Sequence, residues 1–264
     1  MPLREPLAKF SADRGPHLAA MIAYFALLSF VPLLFLAFAV LGLFGRADES
    51  SFLVTELEHA LPESSVSSIV AVVRTIQRNA ATLGVVGGVA LLWTSLSLFG
   101  VLESAFNVVY GKPNRPFLHG KALAVSFMLA SLVVLFVGLL VGSLGFGLLE
   151  RHAPGVIGNP VVAYALSVAV STAFLLVFLL SAYQRLTNAD LTACDVLPGA
   201  LAATAALELT FQVLPVYLRL SKHVPALQAL GGPAIQLVWL YLMANVIVFG
   251  AELNWWLSAR RRAA

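Results

Sequence analysis

Charge is what this sequence has least of. Lysine, arginine, aspartate and glutamate make up 11% of its 264 residues, against 60% apolar residues. An ordinary soluble domain is about 25% charged and roughly 45–50% apolar. So small a polar complement cannot cover a water-soluble globule of this size, which excludes the soluble classes and leaves a membrane protein. Cysteine is nearly absent. Cys194 stands alone, so neither an intramolecular disulfide framework nor a paired-cysteine zinc site can be built. The five histidines, His17, His59, His119, His152 and His223, occur in no metal-ligand spacing. There is no nucleophile elbow, no Walker loop and no catalytic cysteine and histidine signature. These absences disfavour an enzyme, a metal centre and a bound cofactor. The formal charge of +3 gives no argument for nucleic acid as a partner.

What the chain does have is six apolar stretches of spanning length, at approximately 18–44, 84–110, 121–149, 161–183, 196–220 and 234–258. A hydrocarbon core of roughly 30 Å needs about 20 apolar helical residues. Barrel strands would alternate apolar and polar residues, and a run such as Ala122 to Leu149 does not. The expectation is an all-α polytopic membrane protein with six transmembrane helices in a single domain, 1–264. Basic residues stay on the cytoplasmic side. Ten of them (Arg4, Lys9, Arg14, Lys112, Arg115, Lys121, Arg185 and Arg260 to Arg262) fall on one side and six on the other. Both termini are therefore expected to be cytoplasmic. The first span begins like a secretory signal, but its apolar run continues through Phe44, too long for a usual signal core.

The longest connection, 45–83, separates the first two spans. Within it Val66, Ile69, Val70, Val73 and Ile76 recur at helical spacing behind a helix start at Pro62 and Glu63. An amphipathic, extracytoplasmic helical segment is predicted, either capping the bundle or lying in the outer leaflet. Pairs of small residues (Gly84 and Gly88, Gly138 and Gly142, and the run Gly199, Ala202, Ala203, Ala206) mark faces where helices approach closely. The same pattern leaves a homo-oligomer open.

Three carboxylates lie inside the spans: Glu103, Glu208 and Glu252. An ionisable group at mid-span costs about 2.5–3.5 kcal/mol on insertion scales, so such residues face a bundle interior or a wet cavity. Glu103 and Glu252 both fall roughly 10 Å inside the same end of their spans, at 1.5 Å rise per residue. Asn107 and Gln212 each follow a glutamate by four residues, and Asn245 precedes Glu252 by seven, so each pair shares a helix face. With Tyr24, Ser29 and Asn254 they outline a polar pocket opening to the cytoplasm. The bland alternative is that the glutamates snorkel or make structural hydrogen bonds. Pro32 removes a hydrogen bond in the first span and should kink it.

These residues fall on motifs that resemble the YihY/BrkB family of bacterial inner-membrane proteins, once labelled ribonuclease BN. Ala23-Tyr24-Phe25-Ala26-Leu27-Leu28-Ser29-Phe30-Val31-Pro32-Leu33 is similar to the family's first-span signature. So are Leu91-Leu92-Trp93-Thr94 with Ala105-Phe106-Asn107, Leu197-Pro198-Gly199-Ala200, and Trp239-Leu240-Tyr241 with Gly250-Ala251-Glu252-Leu253-Asn254. The resemblance covers nearly the whole chain. It implies a six-helix inner-membrane protein associated with envelope integrity, with lipid handling as an activity. Tyr24, Ser29, Pro32, Asn107, Pro198, Gly199, Glu252 and Asn254 sit on its motifs, whereas Glu103 and Glu208 rest on membrane energetics alone.

The resulting expectation is lipid transport through an intramembrane polar cavity. Tyr24, Ser29, Glu103, Asn107, Glu208, Gln212, Asn245, Glu252 and Asn254 would bind substrate, and Pro32, Pro198 and Gly199 would act as hinges. Membrane lipids are the expected partners. Carboxylates repel an anionic headgroup unless protonated or bridged by a cation or basic group. The rival readings are a scaffold for envelope protein partners and, behind it, a lipid-modifying enzyme. Ribonuclease activity is disfavoured because the sequence offers no metal cluster and no sizeable basic domain.

Overall fold

The structure, a computed structural model, describes residues 4–43, 80–131, 133, 160–221 and 232–263. Among these it holds seven helices and no strand: α1 Arg4–Ala12, α2 Gly15–Leu43, α3 Ala80–Val109, α4 Phe117–Ser131, α5 Pro160–Arg185, α6 Ala193–Ser221 and α7 Gly232–Ala263. Three of them carry stretches long and apolar enough to cross a bilayer, Val168–Arg185, Ala193–Leu214 and Pro233–Arg261. Shorter apolar stretches are Gly15–Phe30, Leu96–Val109 and Phe117–Ser131. The fold is all-helical, as a chain with so few polar side chains requires in lipid. The amphipathic stretch predicted near 63–79, most of 45–83 and the Gly138 and Gly142 pair lie outside the described residues.

Helix ends follow local chemistry. Gly111, at φ 61°, terminates α3, and the amides of Gly111 and Lys112 return to the carbonyls of Val108 and Asn107. That is the left-handed glycine cap, which needs a residue without Cβ strain. Thr192 and Asp195 open α6: the Thr192 amide and hydroxyl both donate to the Asp195 carboxylate, at 3.0 and 2.7 Å. Arg14, at φ 56°, turns the chain between α1 and α2, and its carbonyl accepts from the amides of His17 and Leu18.

α7 is the hub. It packs against α2 on one side and α6 on the other, and it also touches α1 and α3. α2 packs on α3, and α5 on α6. Small residues recur among the contacts: Ala19, Ala23, Ala105, Ala200, Ala203, Ala244 and Ala251 are all buried, beside larger ones such as Phe106 and Tyr183. Hydrophobic driving force is weak between helices in lipid, so close backbone approach replaces it. The outer surface is apolar, with Val89, Trp93, Leu129, Val177, Leu209 and Val213 exposed. In water such a surface would aggregate, but against acyl chains it is matched.

Candidate functional site

Polar side chains gather where the first and last helices meet. α1 lies on α7, and Glu5 and Lys9 of α1 are followed at the same four-residue spacing by Asp13, just past its end. Glu252 of α7 has no exposed surface. Lys9 Nζ stands 3.1 Å from its Oε2, and no well-directed hydrogen bond reaches either oxygen. The same ammonium pairs with Asp13, donates to the Val109 carbonyl at 2.7 Å, and sits 4.3 Å from the centre of the Trp255 ring. One lysine thus neutralises a buried carboxylate and occupies an otherwise unpaired carbonyl at the end of α3. Further out, Glu5 accepts from Trp256 Nε1 at 2.6 Å and from Arg260 at 2.9 Å, and the Arg260 guanidinium lies 4.1 Å from the centre of the Trp256 ring.

Glu103, 6% exposed, is held differently. Arg115, in the connection after α3, places its guanidinium 3.2 Å from Glu103 Oε1 and donates its own amide to that oxygen at 3.3 Å. The fork of Arg115 then spans the end of α5, donating to the carbonyls of Arg185 at 3.1 Å, Leu186 at 2.7 Å and Thr187 at 2.9 Å. A cation there meets the negative end of the helix dipole, and the planar guanidinium suits several acceptors at once. Asn107, with no exposed surface, joins the same two connections. Its Nδ2 donates to Asn114 at 3.0 Å and its Oδ1 accepts the Asn188 amide at 2.6 Å.

Between α6 and α7 the contact is backbone to backbone. Asn254 Oδ1 accepts the Gly199 amide at 2.6 Å, and a Cβ on Gly199 would overlap the Gly250 carbonyl. Tyr183 of α5 donates to the Ile247 carbonyl at 2.7 Å.

The predicted residues therefore separate into groups. Glu103 and Asn107 are brought together at the connections after α3 and α5, Glu252 meets Lys9, and Asn254 and Gly199 fasten α6 to α7. Glu208 lies apart, accepting from Ser171 at 3.1 Å and Thr172 at 3.0 Å across the α5 and α6 contact. Gln212, one turn on, is exposed. Ser29 and Asn245 donate to carbonyls of their own helices, Phe25 at 2.8 Å and Tyr241 at 2.7 Å. Pro32 falls within α2 and Pro198 within α6, and neither helix is interrupted there. The sequence reading missed Lys9, Arg115, Asn114, Asn188 and Tyr183. No apolar periodicity marks α1 in the sequence.

Tyr24 is 53% exposed and belongs to a separate groove of about 450 Å3 between α2 and α7. Pro16, Ala20, Ala23, Leu237 and Val238 make its apolar wall, and His17, Tyr24 and Tyr241 add polar groups. Among the described residues, no carboxylate lines it.

The family profile described as virulence factor BrkB matches residues 7–264. A UPF0761 membrane protein of Chromohalobacter salexigens is 28% identical over 99% of this chain and 64% of its own length. A putative ribonuclease-like protein, YfkH of Bacillus subtilis, is 24% identical over 98% of this chain and 96% of its own. A UPF0761 membrane protein of Azoarcus sp. is 26% identical over 92% of this chain and 60% of its own. The chain thus spans under two thirds of the length of the Chromohalobacter and Azoarcus relatives. No solved structure matches it significantly.

Proposed function

Because the chain belongs to the BrkB family, whose relatives in Chromohalobacter and Azoarcus are named membrane proteins, we propose that it is a multi-pass inner-membrane protein serving envelope integrity by handling an amphipathic lipid. The observation that carries this reading is the groove between α2 and α7. An acyl chain needs a continuous apolar wall, which Pro16, Ala20, Ala23, Leu237 and Val238 supply. A headgroup needs donors at one edge of that wall, and the tyrosine hydroxyls and the His17 ring can provide them.

The reading also removes a conflict of sign. Glu103 and Glu252 are neutralised by Arg115 and Lys9, so they hold the bundle together rather than meet substrate. An anionic headgroup in the groove faces no carboxylate among the described residues. Tyr24 keeps a substrate role, while Glu103, Asn107, Glu252 and Asn254 act as fasteners.

The test is transfer of a fluorescent phospholipid by the full chain in vesicles. Filling the groove with Ala20→Trp should slow transfer at least several-fold while thermal stability is retained. A transfer rate unchanged by both Ala20→Trp and Tyr24→Ala would overturn the reading.

A further inference from the structure

A second cavity, of about 250 Å3, lies among the connections after α3 and α5 and the last turns of α7. It shares no residue with the α2 and α7 groove. Tyr110 and Lys112 come from the first connection, Ala189, Asp190 and Leu191 from the second, and Trp255, Ser258 and Ala259 from α7. Ion pairs elsewhere at this end of the bundle join Lys9 with Glu252 and Asp13, Arg115 with Glu103, and Arg260 with Glu5. Lys112 and Asp190 both line this cavity, and neither side chain has an ion-pair or hydrogen-bond partner among the described residues.

The geometry points to a binding site for a small zwitterion that carries an ammonium and a phosphate ester, the oxyanion meeting Lys112 and the ammonium meeting Asp190. Two lone charges of opposite sign in one cavity do not favour a simple anion, which Asp190 would repel, or a simple cation, which Lys112 would repel. A volume below the roughly 300–1,000 Å3 of drug-sized sites fits a headgroup or a solute of that size. Two aromatic residues in the wall, Tyr110 and Trp255, lower the local dielectric and strengthen both contacts relative to open water. Lys9 Nζ stands 4.3 Å from the centre of the Trp255 ring, a cation contact that restrains this part of the wall. The same chemistry occurs in free phosphoethanolamine and in the headgroup of phosphatidylethanolamine. The inference stands independently of the groove and of transport.

The test uses the full chain, wild type and with Lys112→Ala or Asp190→Asn. Both side chains are exposed and unpaired, so each variant should keep the wild-type melting temperature. In one arm, free phosphoethanolamine is titrated into detergent-solubilised protein. In the other, retention of phosphatidylethanolamine against phosphatidylglycerol is read by native mass spectrometry after extraction from nanodiscs containing both. Each substitution should weaken binding about tenfold or more in whichever arm holds the physiological source. Loss in the first arm assigns a free solute, and loss in the second a lipid headgroup. If neither substitution alters either arm, the proposal fails. Sensitivity to Lys112→Ala with indifference to Asp190→Asn also overturns it, because the site would then be a plain anion site.

Discussion

Lys9 of the first helix and Glu252 of the last meet 3.1 Å apart, with the carboxylate wholly shielded from solvent. A carboxylate buried without a counter-charge is costly, whereas the pair can be exchanged as a unit for neutral groups of similar volume at little cost. Lys9→Met should therefore destabilise the protein by about 3 kcal/mol or more. Adding Glu252→Gln to Lys9→Met should recover most of that loss. Thermal unfolding in detergent measures both, and a double variant no more stable than Lys9→Met would show that the pair is not the cause.

Arg115 offers a test of shape against charge. Its fork reaches three carbonyls of the α5 end as well as Glu103. Lysine preserves the charge but cannot reach four acceptors from one plane. Arg115→Ala should cost at least about 2 kcal/mol, since it leaves Glu103 uncompensated and several carbonyls unpaired. Arg115→Lys should restore less than half. Equal stability of Arg115→Lys and wild type would mean that charge alone suffices there.

The two glycines of the α6 and α7 contact should respond differently to alanine. A methyl at Gly199 would collide with the Gly250 backbone carbonyl, whereas one at Gly250 would first meet the end of the Tyr183 side chain. Overpacking of this kind costs typically about 1–3 kcal/mol. Gly250→Ala should be partly rescued by Tyr183→Phe, which removes the nearest atom. Gly199→Ala should not be rescued by it. Melting temperatures of the two single and two double variants decide the matter.

Acid should release the outer clasp of α1. Hydrogen bonds from Trp256 and Arg260, with the Arg260 charge, hold the Glu5 carboxyl below its ordinary value of 4.5. A depressed carboxylate adds stability above its unfolded value and loses it as pH falls through the folded one. The clasp should thus be intact at neutral pH and open only below the ordinary carboxylate range. The difference in fluorescence between wild type and Trp256→Phe should change in that window, and Glu5→Gln should abolish the change.

Most of the helical framework was legible because hydrocarbon imposes long apolar runs. The stretches read as 161–183 and 196–220 fall within Pro160–Arg185 and Ala193–Ser221. α1 was not legible: REPLAKFSA is short and carries Arg4, Glu5, Pro6 and Lys9, and its partner lies at the far end of the chain. The glutamates were recognisable as costly, but their neutralising partners were not. Lys9 and Arg115 were read as markers of topology, and a count of basic residues does not say which carboxylate each will meet. Asn107 was found on a helix face, yet its partners Asn114 and Asn188 sit in connections, where no period guides the eye. Glu208 joins the others on the cost of a mid-span carboxylate alone, although α5 supplies its donors.

The bridge from α1 to α7 also bears on biogenesis. Lys9 precedes α2 and Glu252 lies in α7, so the two cannot meet until α2 to α7 have been made. The bridge therefore follows the synthesis of every helix between them, and its formation reports that α1 and α7 have docked.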